Sequence, residues 1–127
     1  MSILVSYARI PGTTLLGFPN VGDGSSRKIG GGAIATIGCS GLGMTKEDKD
    51  SFSGAGDFLE PTFFYEYGVN ETDILGEVWG KAITDYLNKY PIDWETPAAW
   101  DYAIDAKTVQ QWVLLGDPSL KIGGYSN

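Results

Sequence analysis

Histidine is absent from the sequence, and cysteine occurs once, at Cys39. The first absence removes the usual zinc ligand, the usual general base near neutral pH and the usual partner that activates a serine or cysteine nucleophile. The second removes any disulfide within the chain and leaves the redox compartment open. Basic residues are also scarce: nine against sixteen acidic ones, for a net charge of -7. A surface of that sign repels phosphate backbones, so nucleic acid is not an expected partner. Apolar runs are short, none approaching the ~20 residues that a membrane-spanning helix needs. Met1-Ser2-Ile3-Leu4-Val5 lacks the basic region and apolar stretch of a secretory signal, so neither a membrane span nor a signal peptide is expected.

What is present suits one globular domain. The 127 residues are 43% hydrophobic and 13% aromatic, and a chain of this size can bury roughly two-thirds of its unfolded surface. The 18 glycines exceed the ~7% average and indicate many tight loops.

From Met1 to about Gly32 the sequence carries weak signals, with the apolar pieces Ile3 to Val5 and Thr14 to Phe18 broken by Pro11, Gly12 and Pro19. A loop-rich or partly disordered entry is expected there. Gly22-Asp-Gly-Ser-Ser-Arg-Lys28 has neither the spacing of a phosphate-binding loop nor a strand before it, and reads as a surface loop. Ala33 to Gly38 is an apolar, β-branched run between glycines, the pattern of a strand buried on both faces. Gly38-Cys-Ser-Gly-Leu-Gly43 follows, and its three glycines allow a sharp turn where ligands of open α/β sheets gather. Thr45 to Ser51 reads as a solvated loop. Asp48 and Asp50 lack the glycine and the closing glutamate of a calcium loop.

Three helices follow. Asp57-Phe-Leu-Glu60 has capping-box spacing, predicting a helix over 57–67 with Asp57 as N-cap and Gly68 as its stop. Thr72 is placed to cap a second helix over 73–89. There Leu75, Val78, Trp79, Ala82, Ile83, Tyr86 and Leu87 recur three and four apart, and Glu77 precedes Lys81 by one turn. Pro91 to Trp100 reads as a loop pinned by its aromatic rings. A third helix is predicted over 105–114, burying Val109, Trp112 and Val113. Gly116-Asp-Pro-Ser119 then stops it, and Leu120 to Ile122 adds a short strand. The order suits a portion of a layered α/β sheet. One or two strands do not make a stable sheet alone, so an open strand edge would seek a partner or a second copy.

Candidate chemistry is sparse. Cys39 follows a buried strand, where a nucleophile could sit, yet only Arg27, Lys28 and Lys46 lie nearby in sequence as cations. A thiol without base or cation stays a thiol, so Cys39 reads as a small buried or loop cysteine. Gly38-Cys-Ser-Gly-Leu is not a serine-hydrolase elbow, and no histidine completes a triad. The carboxylates cluster in polar loops and read as a solvated face rather than a glycosidase pair. Trp79 and Trp112 fall at helical spacing and read as core, whereas the loop pair Trp94 and Trp100 could line a sugar or peptide groove.

Two stretches resemble the gingipain-type cysteine peptidases: Gly30-Gly-Gly-Ala-Ile-Ala-Thr-Ile-Gly-Cys-Ser-Gly-Leu-Gly43 and Gln111-Trp-Val-Leu-Leu-Gly-Asp-Pro-Ser-Leu120. Phe63-Phe-Tyr-Glu-Tyr-Gly68 and Leu75-Gly-Glu-Val-Trp-Gly-Lys-Ala82 between them are similar too. The resemblance covers about 25–124, leaving 1–24 unassigned and 125–127 as a tail. It implies an α/β fold, part of a caspase-like three-layer sandwich with a mainly parallel sheet and flanking helices. It also implies proteolysis by a cysteine and a histidine carried on two earlier strands, commonly in secreted or cell-surface proteins. No counterpart of those strands is evident here, and Cys39 lies past the nucleophile position, so no catalytic residue is carried over. What the resemblance does assign is one wall of the substrate side-chain pocket, formed by Gly38, Cys39, Ser40, Gly41, Leu42, Gly43 and Met44. The partner implied is a peptide or protein substrate, bound if the remainder of the domain is supplied. No cofactor, metal or membrane enters. Two origins fit: a truncated or cleaved product, or a remnant that has lost catalysis and persists as a binding or structural module.

Overall fold

A computed structural model describes residues 3–6, 33–40, 54–97 and 103–125. Its strands are β1 (Ile3–Ser6), β2 (Ala35–Cys39) and β3 (Trp112–Leu115), and its helices are α1 (Gly56–Gly68), α2 (Leu75–Lys89) and α3 (Ile104–Gln111).

β2 is the middle strand, and all five of its residues are buried, as a glycine-bounded apolar run requires. β1 lies parallel to it, Ile3 opposite Ala35 and Ser6 opposite Gly38. β3 lies antiparallel on the other side, Thr36 opposite Leu115 and Cys39 opposite Trp112. Over the described residues the sheet is therefore mixed, where a mainly parallel one was expected. The cause lies in the connection: α3 ends at Gln111 beside the end of β2 and β3 starts at the next residue, so β3 can only run back. β1 falls in the stretch expected to be irregular. Four residues are too few to declare a strand by pattern, and pairing with a buried neighbour decides the matter.

Ala35, Ile37 and Cys39 alternate toward one face of the sheet. There they form a core with Leu59 and Phe63 of α1, Leu75, Val78, Ala82 and Tyr86 of α2, and Trp112 of β3. α1 covers the predicted span but is not capped by Asp57, which sits in its first turn. The cap position is Ala55, whose carbonyl accepts from the Phe58 and Leu59 amides. α2 matches its predicted span closely, yet Thr72 does not cap it. The Thr72 hydroxyl accepts from Lys81 Nζ at 2.6 Å, and the N-cap Ile74 offers no side-chain cap.

The first amides of α2 are satisfied from the far end of the chain. Leu75 N–H donates to the Leu120 carbonyl at 2.9 Å and Gly76 N–H to the Pro118 carbonyl at 2.8 Å. Ile122 N–H reaches the Asp73 carbonyl at 2.7 Å, and Lys121 pairs with Asp73 at 2.8 Å. The 120–122 stretch thus makes one isolated bridge, Ile74 with Lys121, rather than a strand. Gly116 opens this clasp at φ 145, with Ala35 Cβ only 2.7 Å from where a side chain would begin. Asp117 then turns the chain by accepting from the Ser119 amide and hydroxyl at 2.9 and 2.7 Å, bonds that hold its carboxyl below the usual carboxylate range. The third helix is shorter than predicted, because Trp112 and Val113 leave it to pair with β2.

Candidate functional site

The parallel strands β1 and β2 both end at one edge of the sheet, and β3 begins there. Open α/β folds place ligands at such an edge. Gly38, Cys39 and Ser40 are the described members of the sequence-predicted pocket wall. Gly38 and Cys39 are buried strand residues and Ser40 is the first exposed one. Gly41, Leu42, Gly43 and Met44 lie outside the described residues, as do Asp48, Asp50 and Trp100.

Cys39 is 1% exposed. Its Sγ donates to Gln111 Oε1 at 3.6 Å, and the next amide, Ser40 N–H, donates to the Gln111 carbonyl at 2.7 Å. No cation touches the thiol among the described contacts, and no histidine exists to do so. This geometry makes Cys39 a packed strand terminus with no partner that would turn its thiol into a thiolate.

The chain returns at Gly54 and Ala55, both buried. Ala55 has φ 55, uncommon for a residue with a side chain, and its N–H donates to Tyr86 Oη at 3.1 Å. The Tyr86 hydroxyl in turn donates to Asp105 Oδ1 at 2.5 Å. Burial, and then the adjacent Asp105 carboxylate, push the Tyr86 pKa well above its ordinary value. Around this bond Phe58, Tyr86 and Tyr90 meet with ring centroids 5.0–5.7 Å apart, and Lys89 Nζ stands 4.5 Å over the Phe58 ring.

Of the described tryptophans, two pack inward, Trp112 from a strand rather than from a helix, and one is exposed. Trp112 is buried and Trp79 packs against the core, while Trp94 is 60% exposed on a turn in which Asp93 accepts from Glu95 and Thr96. Gln111 and the Tyr86–Asp105 pair escaped the sequence reading. Tyr86 carried only a core signal from its helical period, and nothing in sequence links it to Asp105 or Gln111 to Ser40. Among the described residues no three of His, Cys, Asp and Glu group to hold a metal, and no helix is long and apolar enough to cross a membrane.

Residues 21–123 match a family model described as peptidase family C25. No curated protein and no solved structure matches the chain.

Proposed function

The chain belongs to peptidase family C25, the gingipain-type cysteine peptidases, and from that premise we propose that it is the substrate-pocket-bearing C-terminal portion of such a peptidase domain, without turnover of its own. In this reading residues 25–124 form the peptidase portion of a caspase-like sandwich, and Gly38 to Met44 form one wall of the pocket. The observation that carries it is the buried strand β2, which ends at the sheet edge where the parallel strand β1 also ends and is followed in sequence by the glycine-rich run to Gly43.

The absence of turnover rests on chemistry. Cysteine peptidases need a thiolate and a base to generate it, and the sequence holds no histidine. Cys39 is buried against Gln111, and β1, the strand ahead of β2, contains neither cysteine nor histidine. The remaining contribution is shape: a backbone wall for a substrate side chain, with small residues leaving room beside it.

Incubating the chain with a peptide carrying a cysteine-trapping group tests this. No covalent adduct and no cleavage of peptide libraries are expected. Labelling of Cys39 accompanied by turnover would overturn the inactive reading. A second reading, a non-catalytic peptide- or glycan-binding module, is favoured by the exposure of Trp94 on its braced turn. Ligand binding that is lost in Trp94→Ala and Trp100→Ala but retained in Gly41→Trp supports that alternative.

A further inference from the structure

α1 carries apolar side chains on both of its sides. Leu59 and Phe63 pack inward, while Phe64, Tyr65 and Tyr67, with Val69 just past the helix end, are exposed. Four of the seven large apolar side chains exposed among the described residues thus fall within 64–69, and a surface of that kind ordinarily has something to cover it. Residues three apart on a helix are neighbours, so Phe64 and Tyr67 form a row that leads to Asn70. Asn70 keeps to that row although the helix has ended. Its N–H donates to the Tyr65 carbonyl at 3.2 Å, and its Nδ2 donates to Oε1 of the buried Glu66 at 2.7 Å.

Asn70-Glu71-Thr72 has the spacing that N-glycosylation requires, asparagine and threonine separated by one residue other than proline, and no other asparagine in the sequence has it. Charge favours a sugar over a second copy as the cover. α1 bears Asp57 and Glu60 and no basic residue, Glu71 is exposed beside it, and a second copy of net charge -7 sets like charges together where a neutral sugar does not.

We propose that Asn70 is an N-glycosylation site and that the first sugars of the attached oligosaccharide lie over Tyr67 and Phe64. The donor is a lipid-linked oligosaccharide. The bond from its anomeric carbon to the lipid pyrophosphate breaks, a bond from that carbon to Asn70 Nδ2 forms, and one amide proton is lost to the leaving pyrophosphate. The amide keeps its second hydrogen, which continues to donate to Glu66 and so directs the sugar back along α1. Thr72 sets the timing: its side chain is buried and its hydroxyl accepts from Lys81, so the threonine is readable only before α1 and α2 pack together.

The test translates the full 127-residue chain behind a cleavable secretory leader, with endoplasmic-reticulum vesicles supplying the donor and its transferase. A single glycan is expected, released by peptide N-glycosidase and lost in both Asn70→Gln and Thr72→Ala. Because transfer precedes folding, neither result depends on whether the variant folds. A chain that stays unmodified, or one still modified in Asn70→Gln, overturns the site. The cover is tested on the modified chain, whose melting temperature is expected to exceed that of the bare chain by a few degrees, with Phe64→Ser and Tyr67→Ser together removing at least half of that gain. An equal gain with and without the two rings overturns the cover and returns the row to a protein partner.

Discussion

Tyr86 is fully buried, and its hydroxyl accepts from the Ala55 amide ahead of α1 and donates to Asp105 of α3. Ionising it strips Asp105 of a donor and places two negative charges together in the core. Because the folded state holds this proton more tightly than the unfolded chain does, its stabilisation is complete below about pH 10 and is lost as pH rises beyond that. Urea titrations between pH 9 and 11 are expected to show stability falling by up to about 1.4 kcal/mol per pH unit from this group, and a shallower fall in Tyr86→Phe. Gly116 is the other residue whose identity is dictated locally. Gly116→Ala meets both a left-handed φ and Ala35 Cβ at 2.7 Å, and is expected to lower unfolding free energy by about 1–3 kcal/mol, read as a shift in urea midpoint at constant slope. Cys39, at 1% exposure, is expected to react with a small alkylating reagent only at the rate of unfolding, with mass spectrometry as the readout.

Among the elements, α2 was the most legible, because seven apolar residues at helical spacing leave one way to bury them, and Leu75, Val78, Ala82 and Tyr86 do face the core. β2 was legible for a related reason: a short apolar run between glycines has no polar face to expose. The boundary between α3 and β3 was not. Val109, Trp112 and Val113 satisfy a helical period, yet Trp112 and Val113 gain ladder bonds to Cys39 and Gly38, a long-range choice that local pattern does not encode. The caps of α1 and α2 were misjudged together. Asp57 and Thr72 are suitable capping residues, but α1 starts from the Ala55 turn and α2 starts against carbonyls more than forty residues away. Of the candidate site, the end of β2 was legible, whereas the partners packed around it were not, since Gln111, Tyr86 and Asp105 are brought together only by the fold. At this scale Gly76→Ala is the decisive substitution. A Cβ there meets Pro118 Cβ at 2.8 Å and its carbonyl oxygen at 2.9 Å, so the clasp must open, and thermal unfolding is expected to come several degrees earlier, at a cost of about 1–3 kcal/mol.

For the molecule as a whole, the sheet ends at β3 among the described residues, and Val113 to Leu115 carry no charge, no proline and no bulge to guard that edge. Self-association of the isolated chain is the expected consequence, opposed by a net charge of -7 and so strengthened by salt. Light scattering is expected to give a mass above that of one chain, rising with ionic strength and returning to the monomer in Val113→Lys; a compact monomer at every salt concentration would contradict it. The clasp at 116–122 also has a temporal meaning. During synthesis the whole of α2 leaves the ribosome well before Pro118 and Leu120 do, so its first turn emerges with two amides unanswered. That helix is therefore completed backwards, from 118–122 to its first turn, and a released fragment ending at Gly116 is expected to keep the α1–α2 hairpin docked at its Tyr86 end and frayed at Leu75, read as fast amide exchange at Leu75 and Gly76.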